Sequence, residues 1–138
     1  GRGTEGALGT GSFSNANSPQ PLSGVSGLQF SKIQMAGYSN TGSNFFALST
    51  TGILYVCGYA NRAFGDGTYS ANRNVLSAAR APINTTFTDF RVYGDTSSML
   101  VYAKSNINEL WAWGSNGYFQ TSTNSGNQVS MPQKSLVY

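Results

Sequence analysis

Apolar and polar residues alternate along this chain in short runs that have the length of β-strands rather than helices. The clearest run spans residues 53–57, where Tyr55 and Cys57 point to one face of a strand and Leu54 and Val56 to the other. Both faces are apolar, which is typical of a sheet that is packed on each side. The runs predict eight strands, at residues 22–25, 31–36, 44–49, 53–57, 74–78, 87–93, 98–104 and 109–113.

One pattern of residues recurs along the chain. Placing Gly58 over Gly114 aligns residues 53–57 with residues 109–113, and residues 1–11 supply a third copy of the glycine-rich turn. Starting points at residues 1, 58 and 114 give periods of 57 and 56 residues, so we expect a first repeat at 1–57, a second at 58–113 and the start of a third at 114–138. The positions expected to define the repeat are Gly9, Gly11, Gly37, Cys57, Gly58, Gly65, Gly67, Gly94, Trp111, Trp113 and Gly114.

Four strands in each period favour a particular architecture. Four antiparallel strands joined by short turns form one blade of a β-propeller, and a strand with two apolar faces suits a blade packed between two others. We therefore expect an all-β fold of about two and a half four-stranded blades of a β-propeller. In that arrangement residues 52–68 join one blade to the next. The terminal blades would contact other polypeptide, either further blades or other subunits.

The glycines and tryptophans carry a family resemblance. The pattern G-x-x-x-x-G-x-L-G-x-G at Gly1–Gly11, and the apolar strand that ends at Trp113 and Gly114, resemble the repeat of the regulator-of-chromosome-condensation family. The resemblance covers essentially the whole chain. It implies a β-propeller of about seven blades, with about 50 to 60 residues in each blade. The chain departs from the family pattern at Cys57, where the repeat has a tryptophan.

Composition restricts the chemistry more than the fold. Only 9% of the residues are charged, and Gly, Ser, Thr and Asn make up 61 of the 138, which favours turns and short strands over helices. The absence of histidine removes the commonest general base and the commonest transition-metal ligand. We expect no enzymatic activity, no bound metal and no cofactor, because the five carboxylates show no paired spacing. They are Glu5, Asp66, Asp89, Asp95 and Glu109.

Recognition of a partner is the function class that remains. Loops held by rigid sheets often bind partners, and Tyr and Arg are enriched at interface hot spots. The formal charge of +3 lacks the dense basic patch of a nucleic-acid binder, and no run of about 20 apolar residues predicts membrane insertion. We expect a protein partner, with cell-surface glycans as a further class. The candidate partner-binding residues are Tyr59, Asn61, Arg62, Tyr69, Arg73 and Tyr118.

Low charge and long Ser/Thr/Asn/Gly loops favour a non-enzymatic interaction or structural module of an extracellular or virion protein, such as a phage tail fibre or decoration protein. Two alternatives stay open. An intracellular scaffold, or an adaptor similar to guanine-nucleotide exchange factors, is what the family resemblance implies. A carbohydrate-active or lactonase-like enzyme is the third interpretation, and it lacks support from acid pairs or histidines.

Overall fold

Eight β-strands and one short 3-10 helix at Arg62–Phe64 form the regular structure of the described residues. The computed structural model describes residues 1–38, 42–118, 120–121 and 128–136. The strands are β1 (Phe30–Tyr38), β2 (Gly42–Ser49), β3 (Leu54–Gly58), β4 (Arg73–Ala78), β5 (Phe87–Tyr93), β6 (Leu100–Ser105), β7 (Leu110–Gly114) and β8 (Val129–Lys134).

The strands form two separate four-stranded antiparallel sheets. Sheet 1 has the order β1-β2-β3-β4 and sheet 2 the order β5-β6-β7-β8, so each strand pairs with its neighbour in sequence. The pairing registers of the two sheets also match. Asn44 lies opposite Gly58 in sheet 1, as Leu100 lies opposite Gly114 in sheet 2. The two sheets are therefore two copies of one structural unit.

The prediction of two and a half β-propeller blades is wrong. The described strands make two complete and separate sheets that are not closed into a propeller. Residues from the segment 114–138, which was expected to begin a third unit, supply β8, the fourth strand of sheet 2. The strand expected at residues 22–25 is irregular instead, because Gly24 has φ +80° and the Ser23 N–H donates to the Gly9 carbonyl at 2.7 Å.

The glycine-rich segment at residues 52–68 does not join two units. It contains β3 and the beginning of the connection from β3 to β4, which are neighbours in sheet 1. The link between the two sheets is the segment 79–86, which follows β4. A turn that returns the chain to its own sheet looks the same in sequence as one that leads to the next sheet, and this similarity explains the error.

The two sheets pack face to face through an apolar core. Phe46 and Val56 of sheet 1 lie in one buried cluster with Phe90, Val101 and Trp113 of sheet 2. The rings of Phe46 and Phe90 have centroids 6.2 Å apart. This contact buries one apolar face of each sheet, and burial of such surface is the main favourable contribution to folding.

The opposite face of sheet 1 is covered in part by the N-terminal segment, residues 1–28. Val25 of that segment packs with Cys57 and Leu76, and Leu22 and Tyr55 lie against this smaller cluster. Strand β3 is therefore packed on both faces, as the apolar pattern of residues 53–57 predicts.

Polar side chains of β1 hold the edge of β5. Gln34 Nε2 donates to the Val92 carbonyl at 2.8 Å, and the Val92 N–H donates to Gln34 Oε1 at 3.3 Å. Lys32 Nζ lies 2.6 Å from Asp89 Oδ1 and 4.7 Å from the centroid of the Phe90 ring, and it also donates to the Phe90 carbonyl. We call these contacts of Lys32 and Gln34 the inter-sheet clasp.

Candidate functional site

The repeat positions of the two sheets occupy equivalent places. Cys57 lies opposite Phe45 and Trp113 lies opposite Val101 in the pairing registers, and both Cys57 and Trp113 are fully buried. The register therefore makes Phe45 the equivalent of Val101.

Cys57 and Trp113 both face a glycine-rich turn. Trp113 Nε1 donates to the Ala63 carbonyl at 3.0 Å, and Cys57 Sγ lies 4.0 Å from the equivalent Ala7 carbonyl. Burial raises the pKa of the Cys57 thiol to about 12. The thiol is therefore uncharged at neutral pH and packs as a small apolar group, since the thiolate is the reactive form.

The two glycine-rich turns are tied to the fourth strand of a sheet. The Gly11 N–H donates to the Asn74 carbonyl in β4 at 2.7 Å, and the Gly67 N–H donates to the Ser130 carbonyl in β8 at 2.9 Å. Gly65 has φ +71°, in the left-handed region that favours glycine. The remaining repeat glycines also have positive φ, and they are Gly9, Gly11, Gly37, Gly58, Gly67, Gly94 and Gly114.

Two of the candidate partner-binding residues make internal contacts. Asn61 Oδ1 accepts from the Ala63 N–H at 3.0 Å, which caps the 3-10 helix, and Asn61 Nδ2 donates to Asn44 Oδ1 at 2.8 Å. The guanidinium of Arg73 lies 4.0 Å from the centroid of the Phe64 ring. These contacts give Asn61 and Arg73 a structural role in the β3–β4 connection.

Arg62 and Tyr69 form a pair on the surface of the same connection. The guanidinium carbon of Arg62 lies 4.1 Å from the centroid of the Tyr69 ring, and Arg62 Nη1 donates to Gln128 Oε1 just before β8. The pair borders a cleft of about 180 Å³ between the loops of the two sheets, which we call the arginine cleft. Its other lining residues are Ala60, Asn61, Thr96, Ser97, Met99, Ser115 and Gln128.

Tyr59 borders a second, neighbouring cleft of about 330 Å³, which we call the tyrosine cleft. Its other lining residues are Tyr38, Asp95, Thr96 and Ser97, so the two clefts share Thr96 and Ser97. Sequence reasoning missed Tyr38 and Asp95 because the residues that follow the repeat glycines Gly37 and Gly94 differ between the two units. The Asp-Thr-Ser-Ser turn was the available signal, since Asp at the start of such a turn accepts bonds from the following backbone.

Asp95 is held in one orientation by its own turn. Its Oδ1 atom accepts from the hydroxyls of Ser97 at 2.6 Å and Ser98 at 2.9 Å, and from their N–H groups at 2.9 and 3.0 Å. These bonds, the Ser97 hydroxyl foremost, lower the pKa of Asp95 to about 2. The carboxylate therefore carries a fixed negative charge in the tyrosine cleft above about pH 3.

Tyr118 lines neither cleft. Its side chain is highly exposed, and its N–H donates to Gln120 Oε1 at 2.7 Å.

Aromatic rings and polar groups line both clefts. They offer tyrosine rings, hydroxyls, one guanidinium and one carboxylate with a lowered pKa. Within the described parts of the chain, no three His, Cys, Asp or Glu side chains come together in a group that could hold a metal ion. Among the same residues, no helix has the length and apolar character needed to cross a membrane.

Comparison with known proteins shows a likeness in fold. No protein-family model matches the chain, and no curated protein matches it. The crystal structure of human WBSCR16 is similar, with a TM-score of 0.72 and 21% sequence identity over 95% of this chain. The chain spans 32% of that protein, about a third of its length. At this identity the likeness concerns the fold alone.

Proposed function

We propose that this chain is a non-enzymatic, all-β interaction module that binds a protein partner through the arginine and tyrosine clefts. The observation that carries the proposal is the convergence, at one end of the strands, of aromatic and guanidinium groups from sheet 1 with a carboxylate from sheet 2. Tyr59, Arg62 and Tyr69 come from the β3–β4 connection of sheet 1, and Asp95 comes from the β5–β6 turn of sheet 2.

The chemistry of the two clefts suits a folded or extended polypeptide. Tyrosine supplies a large contact area with few rotatable bonds, and the planar guanidinium of arginine stacks on aromatic rings. Both residue types are enriched at interface hot spots. The arginine cleft presents a cation and the tyrosine cleft an anion, so a partner with paired opposite charges would be favoured and correctly oriented. The rigid sheets below the loops reduce the entropy lost on binding.

The surroundings in which the module works are also a proposal. The low charge and the long Ser/Thr/Asn/Gly loops support an extracellular or virion protein, such as a phage tail fibre or decoration protein. The family resemblance supports the alternative, an intracellular scaffold or an adaptor similar to guanine-nucleotide exchange factors.

Substitution of the cleft residues tests the proposal. A variant with Tyr59→Ser, Arg62→Ser and Tyr69→Ser is compared with a control carrying Ile83→Ser and Ile107→Ser. Both control residues are exposed, and both lie in connections at the opposite ends of the strands. Proteins are cross-linked to each purified chain in extracts and identified by mass spectrometry.

We expect the wild type and the control to capture the same partner, and the cleft variant to lose it. A partner captured equally by the cleft variant would contradict the proposal. A glycan array provides the competing outcome. Glycan binding that depends on Tyr59, without any protein captured through the clefts, would replace the protein partner by a carbohydrate.

A further inference from the structure

One face of β1 in sheet 1 is exposed, whereas the equivalent face of β5 in sheet 2 is buried. Ile33 and Met35 in β1 hold the same register positions as Phe90 and Val92 in β5. Phe90 is 2% exposed and Val92 is 6% exposed, because sheet 1 covers them. Ile33 is 62% exposed and Met35 is 56% exposed, so the described chain leaves the equivalent surface open. We call it the Ile33–Met35 face.

The inter-sheet clasp shows what this kind of face binds. Gln34 satisfies both backbone groups of Val92 on the free edge of β5, and Lys32 pairs with Asp89 on the same edge. An edge strand presents unpaired backbone groups that favour such contacts. β1 is also an edge strand, and Met35 holds the position that Val92 has in β5.

Sheet 2 carries the groups needed to make the same contact again. Asp89 is the register equivalent of Lys32, and Arg91 is the equivalent of Gln34. The side chains of Asp89 and Arg91 are 47% and 55% exposed. Asp89 has the charge opposite to that of Lys32, so the clasp residues of sheet 2 are complementary to the edge of sheet 1.

We propose that the Ile33–Met35 face binds sheet 2 of a second copy of this chain, in a head-to-tail contact that repeats the contact between sheet 1 and sheet 2. Lys32 already pairs with Asp89 of its own chain, so Asp89 of the second copy becomes a second carboxylate on the same ammonium group. Arg91 of the second copy donates to the Met35 carbonyl, in the place of the bond from Gln34 to the Val92 carbonyl. Tyr102 of the second copy, the equivalent of Phe46, covers Ile33.

The contact joins two different surfaces, so each copy keeps one of each surface free for a further copy. Such heterologous association increases with concentration and does not stop at a symmetric dimer. The contact uses the edge strand β1 and the outer face of sheet 2, rather than the two clefts. Its failure would therefore leave the proposed cleft function untouched.

Sedimentation equilibrium tests the association. We expect the average mass of the wild type to rise with concentration and the Ile33→Lys variant to stay monomeric, with a dissociation constant raised at least about tenfold by the buried charge. Ile107→Lys is the matched control, since Ile107 is 65% exposed in the β6–β7 turn, and it should associate like the wild type. A monomeric wild type at all concentrations, or equal association of Ile33→Lys, would overturn the proposal.

Disulfide trapping tests the orientation. One chain carries Met35→Cys, a second carries Arg91→Cys, and the native Cys57 is buried in both. We expect a disulfide-linked dimer when the two variants are mixed and oxidised, and little dimer from either variant alone. Efficient dimerisation of Met35→Cys alone would show a two-fold contact instead, and absence of a dimer in the mixture would exclude the head-to-tail contact.

Discussion

Sheet 1 and sheet 2 solve the same packing problem with different residues. In sheet 2 the indole of Trp113 reaches the Ala63 carbonyl and lies against the Phe87 ring, with centroids 5.9 Å apart. In sheet 1 the much smaller Cys57 stands at this position and is just as completely buried. Neither sheet leaves the position exposed, although the two side chains differ greatly in volume.

The difference is balanced by a second pair of residues. Leu22 packs beside Cys57, whereas the equivalent place beside Trp113 belongs to the smaller Ala79. A methyl group placed on Gly9 would meet Cys57 and Leu22, and one placed on Gly65 would meet Trp113 and Ala79. The repeated unit therefore preserves the filled volume rather than the residue, as expected for cores that tolerate volume-conserving exchange.

Removal of the Trp113 indole should give the largest difference in unfolding free energy between the two equivalent positions. Trp113→Ala deletes a fully buried side chain and leaves the Ala63 carbonyl without its partner, so we expect a loss of about 3–5 kcal/mol in unfolding free energy. Cys57→Ala removes one atom from an equally buried place, and we expect a loss of about 1 kcal/mol. Urea denaturation measures both unfolding free energies. Equal losses would show that Trp113 and Cys57 contribute equally to the stability of their sheets.

The apolar pattern predicts most strands but not their grouping. Seven of the eight strands overlap a predicted run. β8 was missed because Pro132 argues against a strand, yet β8 is the last strand of its sheet, where proline is tolerated. The predicted grouping of strands into sheets was wrong because the length of the repeat, 56 or 57 residues, does not show at which residue one repeat ends and the next begins. Only the pairing of β4 with β3 shows where one sheet ends.

The sequence predicted some residues of the two clefts and missed others. Tyr59, Arg62 and Tyr69 were found because they follow a repeated glycine turn. Tyr38 and Asp95 reach the same clefts from hairpins whose sequences do not repeat. The internal contacts of Asn61 and Arg73 depend on residues distant in sequence or on ring stacking, and side-chain type alone does not show them.

Substitution of the two equivalent glycines sharpens the comparison. Gly65 and Gly9 have φ of +71° and +65°, so an alanine is strained at both. A Cβ on Gly65 would lie 2.6 Å from Trp113 Nε1, part of a rigid ring, whereas one on Gly9 would lie 3.2 Å from Cys57 Sγ. We expect losses of about 2–3 kcal/mol for Gly65→Ala and about 1–2 kcal/mol for Gly9→Ala.

The control for these variants is Gly117→Ala, because a Cβ at Gly117 meets nothing within 4 Å. It should change the unfolding free energy by less than about 0.5 kcal/mol. If Gly9→Ala destabilised the chain more than Gly65→Ala, the argument from the size of Trp113 would be wrong.

The clasp distinguishes the sheets at another equivalent pair of positions. Gln34→Ala leaves the N–H and carbonyl of Val92 without their side-chain partner, and we expect a loss of about 1–3 kcal/mol. Arg91→Ala, at the register equivalent in sheet 2, removes an exposed side chain and should cost less than about 0.5 kcal/mol. Thermal unfolding at low protein concentration, where copies do not associate, compares the two.

The last difference is a pH dependence that the thiol of Cys57 gives to sheet 1 and the indole of Trp113 cannot give to sheet 2. The pKa of the Cys57 thiol is about 12 in the folded chain, because burial disfavours the thiolate, against 9.0 for an unperturbed thiol. Below pH 9 both states keep the proton and the unfolding free energy is unaffected. Between pH 9 and 12 only the unfolded state loses this proton, so the unfolding free energy falls by about 1.4 kcal/mol per pH unit.

Comparing the wild type with Cys57→Ala at pH 8 and pH 10 isolates this contribution from the other titrating groups. We expect the advantage of the wild type, about 1 kcal/mol at pH 8, to fall by about 1.4 kcal/mol, so that the advantage is lost at pH 10. An advantage that stays constant would mean that water reaches the thiol, and that Leu22 does not seal the space that an indole fills in sheet 2.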